Sequence, residues 1–379
     1  MQIFVPKETY PGETRIAMVP DTVAKLTKKG VAICIESGMG MSCGYEDDAF
    51  SSAGATVASD RADALGKADM VLRLRKPTLE EAGQLKRGAI HVSYMDPFND
   101  HALVDAMVAQ GVSVIAMEMI PRTTLAQKMD ALSSQANLAG YVAVIIAAVR
   151  LPMVFPMMMT PAGTIKPSRV FIIGCGVAGL QAIATAKRLG ARVEAFDTRP
   201  VVEEQVQSLG AKFIKIDLGE TGQTKDGYAV ELTPEQRQKQ IEAMAKVITQ
   251  SDVVITTAQV FGRKAPVIVT TEMVKTMRPG SVVVDLAVES GGNVECVKQG
   301  EEIEVNGVKV IGFENLPGRV PVHASQMYSA NLGNLIEHFW DKESNAFKLN
   351  LDDEIMQGCL IVHEGEIRSE MIKKARETR

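Results

Sequence analysis

Three glycines lie at the spacing that the pyrophosphate of a dinucleotide requires, namely Gly174, Gly176 and Gly179. An apolar run at residues 169–173 precedes them, and a helical pattern at residues 180–189 follows them. In such a strand, turn and helix the first glycine permits the tight turn, the second lets the backbone approach the phosphates, and the third allows close packing. The helix N-terminus adds free N–H groups and a positive dipole end. The pattern predicts a dinucleotide site; the alternative is a flexible glycine turn.

An acidic residue follows the next predicted strand. Residues 192–196 predict this strand, and Asp197 comes directly after it, about twenty residues beyond the glycines, where a dinucleotide site places its acid. A carboxylate there accepts hydrogen bonds from the adenosine ribose and repels a 2′-phosphate, which predicts NAD rather than NADP. Arg199 keeps the alternative open, because a nearby arginine can receive a 2′-phosphate.

Composition narrows the class of protein. The 379 residues suffice for two domains, and 46% hydrophobic with 23% charged residues is typical of a soluble globular protein. A net charge of -5 without a basic run argues against nucleic acid as a partner. Five cysteines without a C-x-x-C pair and five dispersed histidines predict a reduced compartment and no metal site.

The sequence also argues against direct membrane insertion. The N-terminus has no signal-peptide architecture. The apolar segment 141–159 is interrupted by Arg150, Pro152 and Pro156, before it reaches the roughly twenty residues that a span needs. We therefore expect a buried helix followed by a proline-marked connection.

Alternating strand and helix patterns predict an α/β protein. In the N-terminal third, strands are predicted at residues 3–5, 32–35, 70–74, 89–93 and 113–118. Helices are predicted between them at residues 21–29, 46–53, 61–68, 79–85 and 101–109. We expect two Rossmann-like, doubly wound parallel-sheet domains flanking a cleft. The first domain combines residues 1–135 with 325–379, and the second, residues 136–324, binds the nucleotide.

Strands of the second domain are predicted at residues 212–216, 253–256, 282–285 and 308–312. The turns 257–260 and 286–293 follow two of these strands, at the carboxyl ends where open α/β sheets hold ligands. A long helix at 324–339 leads the chain back, and residues 349–379 complete the surface of the first domain.

Two polar segments are further candidates. Residues 121–141 run from a polar loop into a linking helix at about Met129, and they suit either a polar ligand or a solvated hinge with helix-capping residues. Residues 217–229 contain three glycines and Tyr228. That loop either folds over a bound ligand or is a plain surface loop.

These stretches together resemble the soluble NAD(H)-binding component of proton-translocating nicotinamide nucleotide transhydrogenase, over essentially the whole chain. The resemblance rests on Pro6-Lys7-Glu8 with residues 11–15, on the loop 122–141, on residues 174–191 and on residues 284–293. The loop is its most specific feature.

The resemblance implies roles for individual residues. At the nicotinamide end of NAD(H) it places Arg122, Gln127, Asp130 and Ser133. Along the pyrophosphate it places Val177, Ala178 and Gly179, and at the adenosine ribose Asp197, Thr198 and Arg199. To the closing loop and the following helix it assigns Gly227, Tyr228 and Gln240. Gln259 stands where the family usually has leucine, so we expect a backbone contact there rather than a hydrophobic one.

The reaction implied is a direct, Re/Si-specific hydride transfer between NADH on this chain and NADP+ on a partner subunit. It needs positioning and water exclusion rather than an acid or a base. The resemblance further implies membrane-spanning and NADP(H)-binding partner subunits that couple the transfer to proton translocation. It places this chain, as a homodimer, in the cytoplasm at the inner face of the cell membrane.

Two other functions are considered. The related alanine dehydrogenases act alone on a small amino or oxo acid, for which Arg15 would supply a carboxylate clamp. The lysine and histidine of that chemistry fall on Arg75 and Asp96, and its acid on Glu289, which argues against it. A non-catalytic NAD sensor or scaffold is the third possibility.

Overall fold

The computed structural model describes residues 1–219, 221–222 and 232–377. The chain divides into two compact units, which are Met1–Gln135 with Gly318–Arg379, and Ala136–Pro317. The second crossing between the units thus lies at Gly318, whereas the sequence analysis placed it at residue 325. We call these unit 1 and unit 2.

The elements follow one another in the α/β order that the sequence predicts. The strands are β1 (Gln2–Val5), β2 (Ala32–Glu36), β3 (Thr56–Ala58), β4 (Met70–Leu72), β5 (Ile90–Ser93), β6 (Ser113–Ala116), β7 (Met158–Thr160), β8 (Gly163–Ile165), β9 (Arg169–Ile173), β10 (Arg192–Phe196), β11 (Lys212–Phe213), β12 (Val253–Thr256), β13 (Val282–Asp285), β14 (Glu302–Val305), β15 (Val308–Ile311), β16 (Trp340–Asp341), β17 (Ala346–Phe347), β18 (Leu360–His363) and β19 (Glu366–Ile367). The helices are α1 (Pro20–Thr27), α2 (Asp47–Ser52), α3 (Arg61–Lys67), α4 (Leu79–Gln84), α5 (His101–Gln110), α6 (Ala131–Arg150), α7 (Val177–Arg188), α8 (Glu203–Ser208), α9 (Pro234–Ile248), α10 (Thr271–Lys275), α11 (Pro321–Phe339), α12 (Glu354–Cys359) and α13 (Glu370–Glu377).

Unit 1 is built on a sheet whose eight described strands run in the order β19-β18-β6-β5-β4-β1-β2-β3. The six strands from β6 to β3 pair in parallel, for example Phe4 with Cys34 and with Val71. Parallel strands joined by helices bury both of their faces. Accordingly β4 and, after Gln2, β1 are apolar and buried, and β5 is buried throughout although it contains His91 and Ser93. The predicted α/β fold with parallel sheets is confirmed, although β3 is an edge strand that the sequence did not indicate.

Two details of unit 1 correct the sequence analysis. The predicted strand 113–118 ends at Ala116, because Glu118 turns back so that its Oε1 accepts the N–H groups of Met95 (2.7 Å) and Asp96 (2.6 Å). The C-terminal segment does more than cover the surface, which is where we placed it. Its strand β18 is almost wholly buried and pairs antiparallel with β6, and so completes the sheet.

Unit 2 is built on a sheet with the described order β11-β10-β9-β12-β13-β15-β14. All neighbours are parallel except β14, which pairs antiparallel with β15. The chain first adds β10 and β11 on one side of β9 and then returns to add β12 on the other side. The order therefore reverses at β9, and ligands of open α/β sheets bind at the carboxyl ends of strands next to such a reversal.

The segment that joins the units differs from the expected linker. Helix α6 begins at Ala131 and has 20 residues, and the predicted connection after it contains an antiparallel hairpin, β7 with β8, that the sequence did not indicate. Of the helices in the described portion of the chain, α6 is the one that is long and apolar enough to cross a bilayer, a criterion that core helices of soluble proteins also meet.

Candidate functional site

The turn after β9 requires glycine at its first position. Gly174 has a φ of 92°, a region that residues with a side chain rarely adopt. Its N–H donates to the carbonyl of Phe196 (2.9 Å), and a Cβ atom on it would lie 2.6 Å from Thr257 Oγ1. The turn is thereby held between the ends of β10 and β12.

Two further glycines allow backbones to touch. A Cβ atom on Gly179 would overlap the carbonyl oxygen of Gly174, so α7 packs directly on the turn. A Cβ atom on Gly140 of α6 would overlap the carbonyl oxygen of Ala178. The sequence analysis assigned the first of these contacts but missed the second, because nothing local to Gly140 indicates which backbone it meets.

The middle glycine faces open space. Apart from its chain neighbours, no heavy atom of the described residues lies within 4 Å of a Cβ atom built on Gly176. Gly176 is the N-cap of α7, and its φ of -76° is one that any residue adopts. The first N–H groups of a helix have no acceptor inside it, so those of Val177, Ala178 and Gly179 can donate to a ligand at this end of α7. The turn combines open volume with N–H donors and a positive dipole end, as an anion site requires.

The predicted acid, Asp197, is already hydrogen-bonded in full. It is only 9% exposed, and its Oδ2 accepts from the N–H of Cys175 (2.7 Å) and from Arg199 Nη2 (2.7 Å). Its Oδ1 accepts from the N–H (2.8 Å) and the Nε (2.9 Å) of Arg199. The hydrogen bond to Asp197 raises the pKa of the Arg199 guanidinium above its ordinary value.

The ion pair between Asp197 and Arg199 bears on the alternative that Arg199 receives a 2′-phosphate. In the described structure the guanidinium neutralises Asp197 in a bidentate ion pair, which fixes its fork of donors on the carboxylate. A ligand hydroxyl that bonds Asp197 must therefore share or displace one of the Arg199 donors. Thr198, between the two, accepts from Thr221 Oγ1 through its carbonyl (2.7 Å).

A second carboxylate organises the turns after β12 and β13. Asp285 has no exposed surface, and its oxygens accept from Thr256 Oγ1 (3.0 Å) and from the N–H groups of Ala287 (2.8 Å), Asn293 (2.7 Å) and Val294 (2.9 Å). Burial raises the pKa of Asp285 above its ordinary value, although these donors oppose the shift. The carboxylate thus closes the loop 286–293 on itself.

Asn293 extends this network to the neighbouring turn. Its side chain accepts from the N–H of Ala258 (3.0 Å) and donates to the carbonyls of Ala258 (2.8 Å) and Pro266 (2.8 Å). The side-chain amide of Asn293 thus bonds both the N–H and the carbonyl of Ala258, as the backbone of a paired β-strand does. The sequence analysis gave neither Asp285 nor Asn293 a role, and only the position of both within the 284–293 stretch marked them.

The remaining predicted residues of unit 2 are placed as follows. Gln259 is exposed, and its Nε2 donates to the carbonyl of Leu286 (3.2 Å), so it bridges the two turns. Gln240 is 6% exposed and shares the buried face of α9 with Met244 and Ile248. Gly227 and Tyr228 lie outside the described residues.

The junction residues belong to unit 1 up to Gln135. Asp130 precedes α6, and its carboxylate accepts from the N–H (2.9 Å) and the Oγ (2.5 Å) of Ser133. Asp130 and Ser133 therefore cap the N-terminus of α6, the role that the alternative to a polar ligand site gives to this segment. Gln127, in the 3-10 helix Ala126–Met129, and Arg122 are both exposed. All four junction residues that the sequence analysis named lie within residues 122–133 of the chain.

The positions that alanine dehydrogenase chemistry would use are occupied by ion pairs. Arg15 is 4% exposed and donates to both carboxylate oxygens of Glu13 (2.8 and 2.7 Å), and Arg75 Nε also donates to Glu13 (2.8 Å). Burial alone would raise the pKa of Glu13, but the two arginines outweigh it and hold the pKa at about 2. Asp96 accepts from Lys76 Nζ (3.3 Å), and Glu289 is exposed.

No group of three or more His, Cys, Asp and Glu side chains in the described portion of the chain could hold a metal ion. The donors at the glycine turn are instead backbone N–H groups, which suit a phosphate rather than a cation.

Comparison with known proteins identifies the family. The alanine dehydrogenase/PNT N-terminal domain matches residues 4–139, and the C-terminal domain of the same family matches residues 143–370. The chain belongs to the alanine dehydrogenase/PNT family. It is 45% identical over 374 residues to a Rhodospirillum rubrum protein named as the first portion of NAD(P) transhydrogenase subunit alpha, with 97% of each chain covered.

Other members of the family agree. A transhydrogenase crystal structure from Sinorhizobium meliloti is 43% identical, with a TM-score of 0.87 over 97% of this chain and 100% of that one. An alanine dehydrogenase of Bacillus subtilis is 30% identical over 85% of this chain and 81% of its own. The resemblance to transhydrogenase inferred from the sequence is confirmed, with alanine dehydrogenase as a more distant relative.

The glycine turn yields a test with a matched pair of variants. Gly176→Ala should leave the melting temperature within about 2 °C of the parent protein, because the added methyl group meets open space and no strained dihedral. It should still weaken NADH binding at least tenfold, because the methyl group occupies the position of the phosphates. Gly179→Ala should lower the melting temperature as well, because its methyl group overlaps the Gly174 carbonyl. Unchanged NADH affinity in a folded Gly176→Ala protein would remove the turn from the ligand site.

Proposed function

We propose that this chain is the NAD(H)-binding component of a proton-translocating NAD(P) transhydrogenase. It transfers a hydride directly between its own NAD(H) and an NADP(H) held by a partner subunit. The observation that carries the proposal is the open, N–H-lined turn at Gly176, with Asp197 beside it, on a chain whose close relatives are named transhydrogenase subunits.

The adenosine half of NAD(H) binds in unit 2. Its pyrophosphate lies on the turn and on the first turn of α7, against Gly174, Gly176, Val177, Ala178 and Gly179. The ribose hydroxyls bond the Asp197 carboxylate in place of one or more Arg199 donors, with Thr198 alongside. The neutral hydroxyls therefore replace some of the hydrogen bonds to Asp197, while the Arg199 donors that remain keep its buried charge compensated.

The nicotinamide end is held by the junction residues Arg122, Gln127, Asp130 and Ser133. The turn at Gln259 adds a contact from the carboxyl end of β12, and Gly227, Tyr228 and Gln240 belong to the loop that closes and the helix behind it. The step moves only a hydride, with its two electrons, from the dihydronicotinamide to the oxidised nicotinamide. These residues therefore act by alignment and water exclusion, and none of them needs to exchange a proton.

The partners follow from the same proposal. An NADP(H)-binding subunit presents the second nicotinamide, and a membrane-spanning subunit couples the Re/Si-specific transfer to proton movement. This chain is then cytoplasmic and peripheral, held at the inner face of the cell membrane by those subunits. The Rhodospirillum rubrum relative is named as one portion of a divided subunit alpha, which supports an enzyme assembled from several chains.

Transfer that depends on the partner is the test of this function. The chain should bind NADH more tightly than NADPH in a fluorescence titration, and it should reduce an NADP+ analogue with NADH only after an NADP(H)-binding transhydrogenase domain is added. Gln127→Ala and Asp130→Asn should each lower that rate by about one to two orders of magnitude. Both should keep the NADH dissociation constant within about threefold, because they act at the reacting end. The asparagine retains an oxygen that can cap α6.

Several outcomes would count against the proposal. Binding without transfer in the presence of an active partner would favour an NAD sensor. Turnover of pyruvate and ammonia without a partner would make the chain an alanine dehydrogenase, despite the ion pairs on Arg15 and Arg75. Full activity of both variants would exclude the junction residues from the site.

Nucleotide selectivity should depend on the Asp197 and Arg199 pair. Asp197→Asn keeps an oxygen for the Cys175 N–H but removes the charge, so NADH affinity should fall about tenfold. NADPH affinity should rise, because the released Arg199 can bind a 2′-phosphate with its fork of donors. The double variant Asp197→Asn with Arg199→Ala should lose that gain. Unaltered affinities for both nucleotides in Asp197→Asn, measured by titration calorimetry, would refute the assignment.

We also propose that the chain forms a homodimer through unit 2. Both strands of the β7–β8 hairpin are exposed along their whole length, although an isolated hairpin is marginally stable in water. Apolar side chains exposed by 40% or more continue along α6 and this hairpin, including Tyr141, Val149, Met157, Met158, Met159 and Ile165. The same surface on a second copy would cover them in an isologous contact.

Sedimentation equilibrium should give a mass of about twice the 40.9 kDa of the chain. The double variant Met158→Glu with Met159→Glu should be monomeric, because the contact would then bury charge. Met371→Glu is the matched control and should leave the dimer intact, because Met371 is 53% exposed on α13 of unit 1. A monomeric parent protein would end the proposal.

A further inference from the structure

The side-chain amide of Asn331 on α11 forms hydrogen bonds with both ends of residues 128–134, the segment that contains Asp130 and Ser133. Asn331 is 7% exposed; its Nδ2 donates to the carbonyl of Lys128 (2.9 Å), and its Oδ1 accepts from Ser134 Oγ (2.8 Å). Lys128 directly follows Gln127, and Ser134 lies in the first turn of α6. One side chain thus joins the two ends of the stretch 128–134, which contains Asp130. All of these residues belong to unit 1.

Packing between residues 124–129 and α11 is interrupted by a groove, although Ala126 and Met129 are buried. A groove of about 640 Å³ lies between the segment and α11, lined by Thr124, Leu125, Lys128, Met129, Asn334, Glu337 and His338. Leu125 is 61% exposed, so the apolar side chain that begins the segment does not fill this groove. Ala126 and Met129 are buried and pack the 3-10 helix, and the hydrogen bonds to the Lys128 carbonyl add a directional constraint between this helix and α11. Asn334 Nδ2 supplies a second such bond (3.1 Å).

Asn331 lies next to buried apolar residues of α11, although Ser325 and Ser329 are also buried on this helix. Its neighbours Tyr328, Leu332, Leu335 and Ile336 are buried, and the side chains of the last three are apolar. A buried amide costs free energy unless both its donor and its acceptor are bonded, and here the bonds shown for both go to the junction segment. An apolar side chain would pack the helix as well without reaching either partner. The amide is therefore explained by what it holds rather than by the helix.

We propose that Asn331 is a positioning residue for hydride transfer. It touches no nucleotide, and it fixes the backbone from which Gln127 and Asp130 reach the nicotinamide. This inference rests on the proposed function for the roles of Gln127 and Asp130. The hydrogen bonds by which Asn331 holds residues 128–134 do not depend on that function.

The test compares Asn331→Leu with Asn334→Ala. Asn331→Leu keeps an apolar contact on α11 and loses both bonds, whereas Asn334→Ala loses only the second donor to Lys128. With the NADP(H)-binding partner domain present, Asn331→Leu should slow hydride transfer at least tenfold and change the NADH dissociation constant less than threefold. Asn334→Ala should slow it less than threefold. With NADH deuterated at the transferred position, the kinetic isotope effect should increase in Asn331→Leu, because misalignment makes the hydride step limit the rate.

Hydrogen exchange separates this inference from the proposed function. In Asn331→Leu the amides of residues 122–134 should exchange at least tenfold faster than in the parent protein, while those of unit 2 stay unchanged. That result supports the holding of the segment even if the parent protein transfers no hydride, in which case the proposed function fails and the catalytic role of Asn331 fails with it. Active parent protein together with a parent-like rate and isotope effect in Asn331→Leu would overturn the positioning role alone.

Two further variants keep the test decisive if Asn331→Leu does not fold. Asn331→Asp retains the acceptor for Ser134 Oγ but turns a carboxylate oxygen toward the Lys128 carbonyl. Ser134→Ala removes the other bond and leaves the amide in place. Each should lower the rate with little effect on NADH affinity, and parent-like rates in both would refute the proposal.

Discussion

The contact on which unit 2 depends is the one between Gly179 and the carbonyl of Gly174, where no Cβ atom fits. It brings the first turn of α7 against the end of β9, the strand at which the order of the sheet reverses. Because α7 lies this close, its first N–H groups can donate to a ligand at the end of the helix where Gly176 leaves open space. The lack of a Cβ atom on Gly179 thus lets α7 pack against the turn after β9. This packing places the positive end of the helix dipole at the turn.

The two buried carboxylates of Asp197 and Asp285 in unit 2 have different hydrogen-bond partners. Asp285 is held by Thr256 and by backbone N–H groups of its own loop, and burial raises its pKa although these donors oppose the shift. Asp197 shares its oxygens with Arg199 in an ion pair. The carboxylate of Asp285 therefore shapes the turns at the carboxyl ends of β12 and β13, and that of Asp197 is the one that we propose for recognition of the ribose.

Unit 1 uses buried polar side chains in a comparable way. The Arg15 and Arg75 pairs satisfy Glu13 inside the unit, and the amide of Asn331 is bonded to the junction segment. In both units a polar side chain is buried where a loop must keep one conformation. Apolar packing alone would leave such loops less well defined, because hydrogen bonds have direction and dispersion contacts do not.

The sequence by itself determined the α/β class, the strand, turn and helix around Gly174, and the acid at Asp197, because each depends on periodicity or spacing within a short stretch. It also located β12 and β13 to the residue. Only the tertiary structure decided that β18 completes the sheet beside β6 and that Asn331 holds Lys128, 203 positions away. These contacts depend on the path of the chain between distant residues, and local sequence preferences carry no information about which distant groups that path brings together.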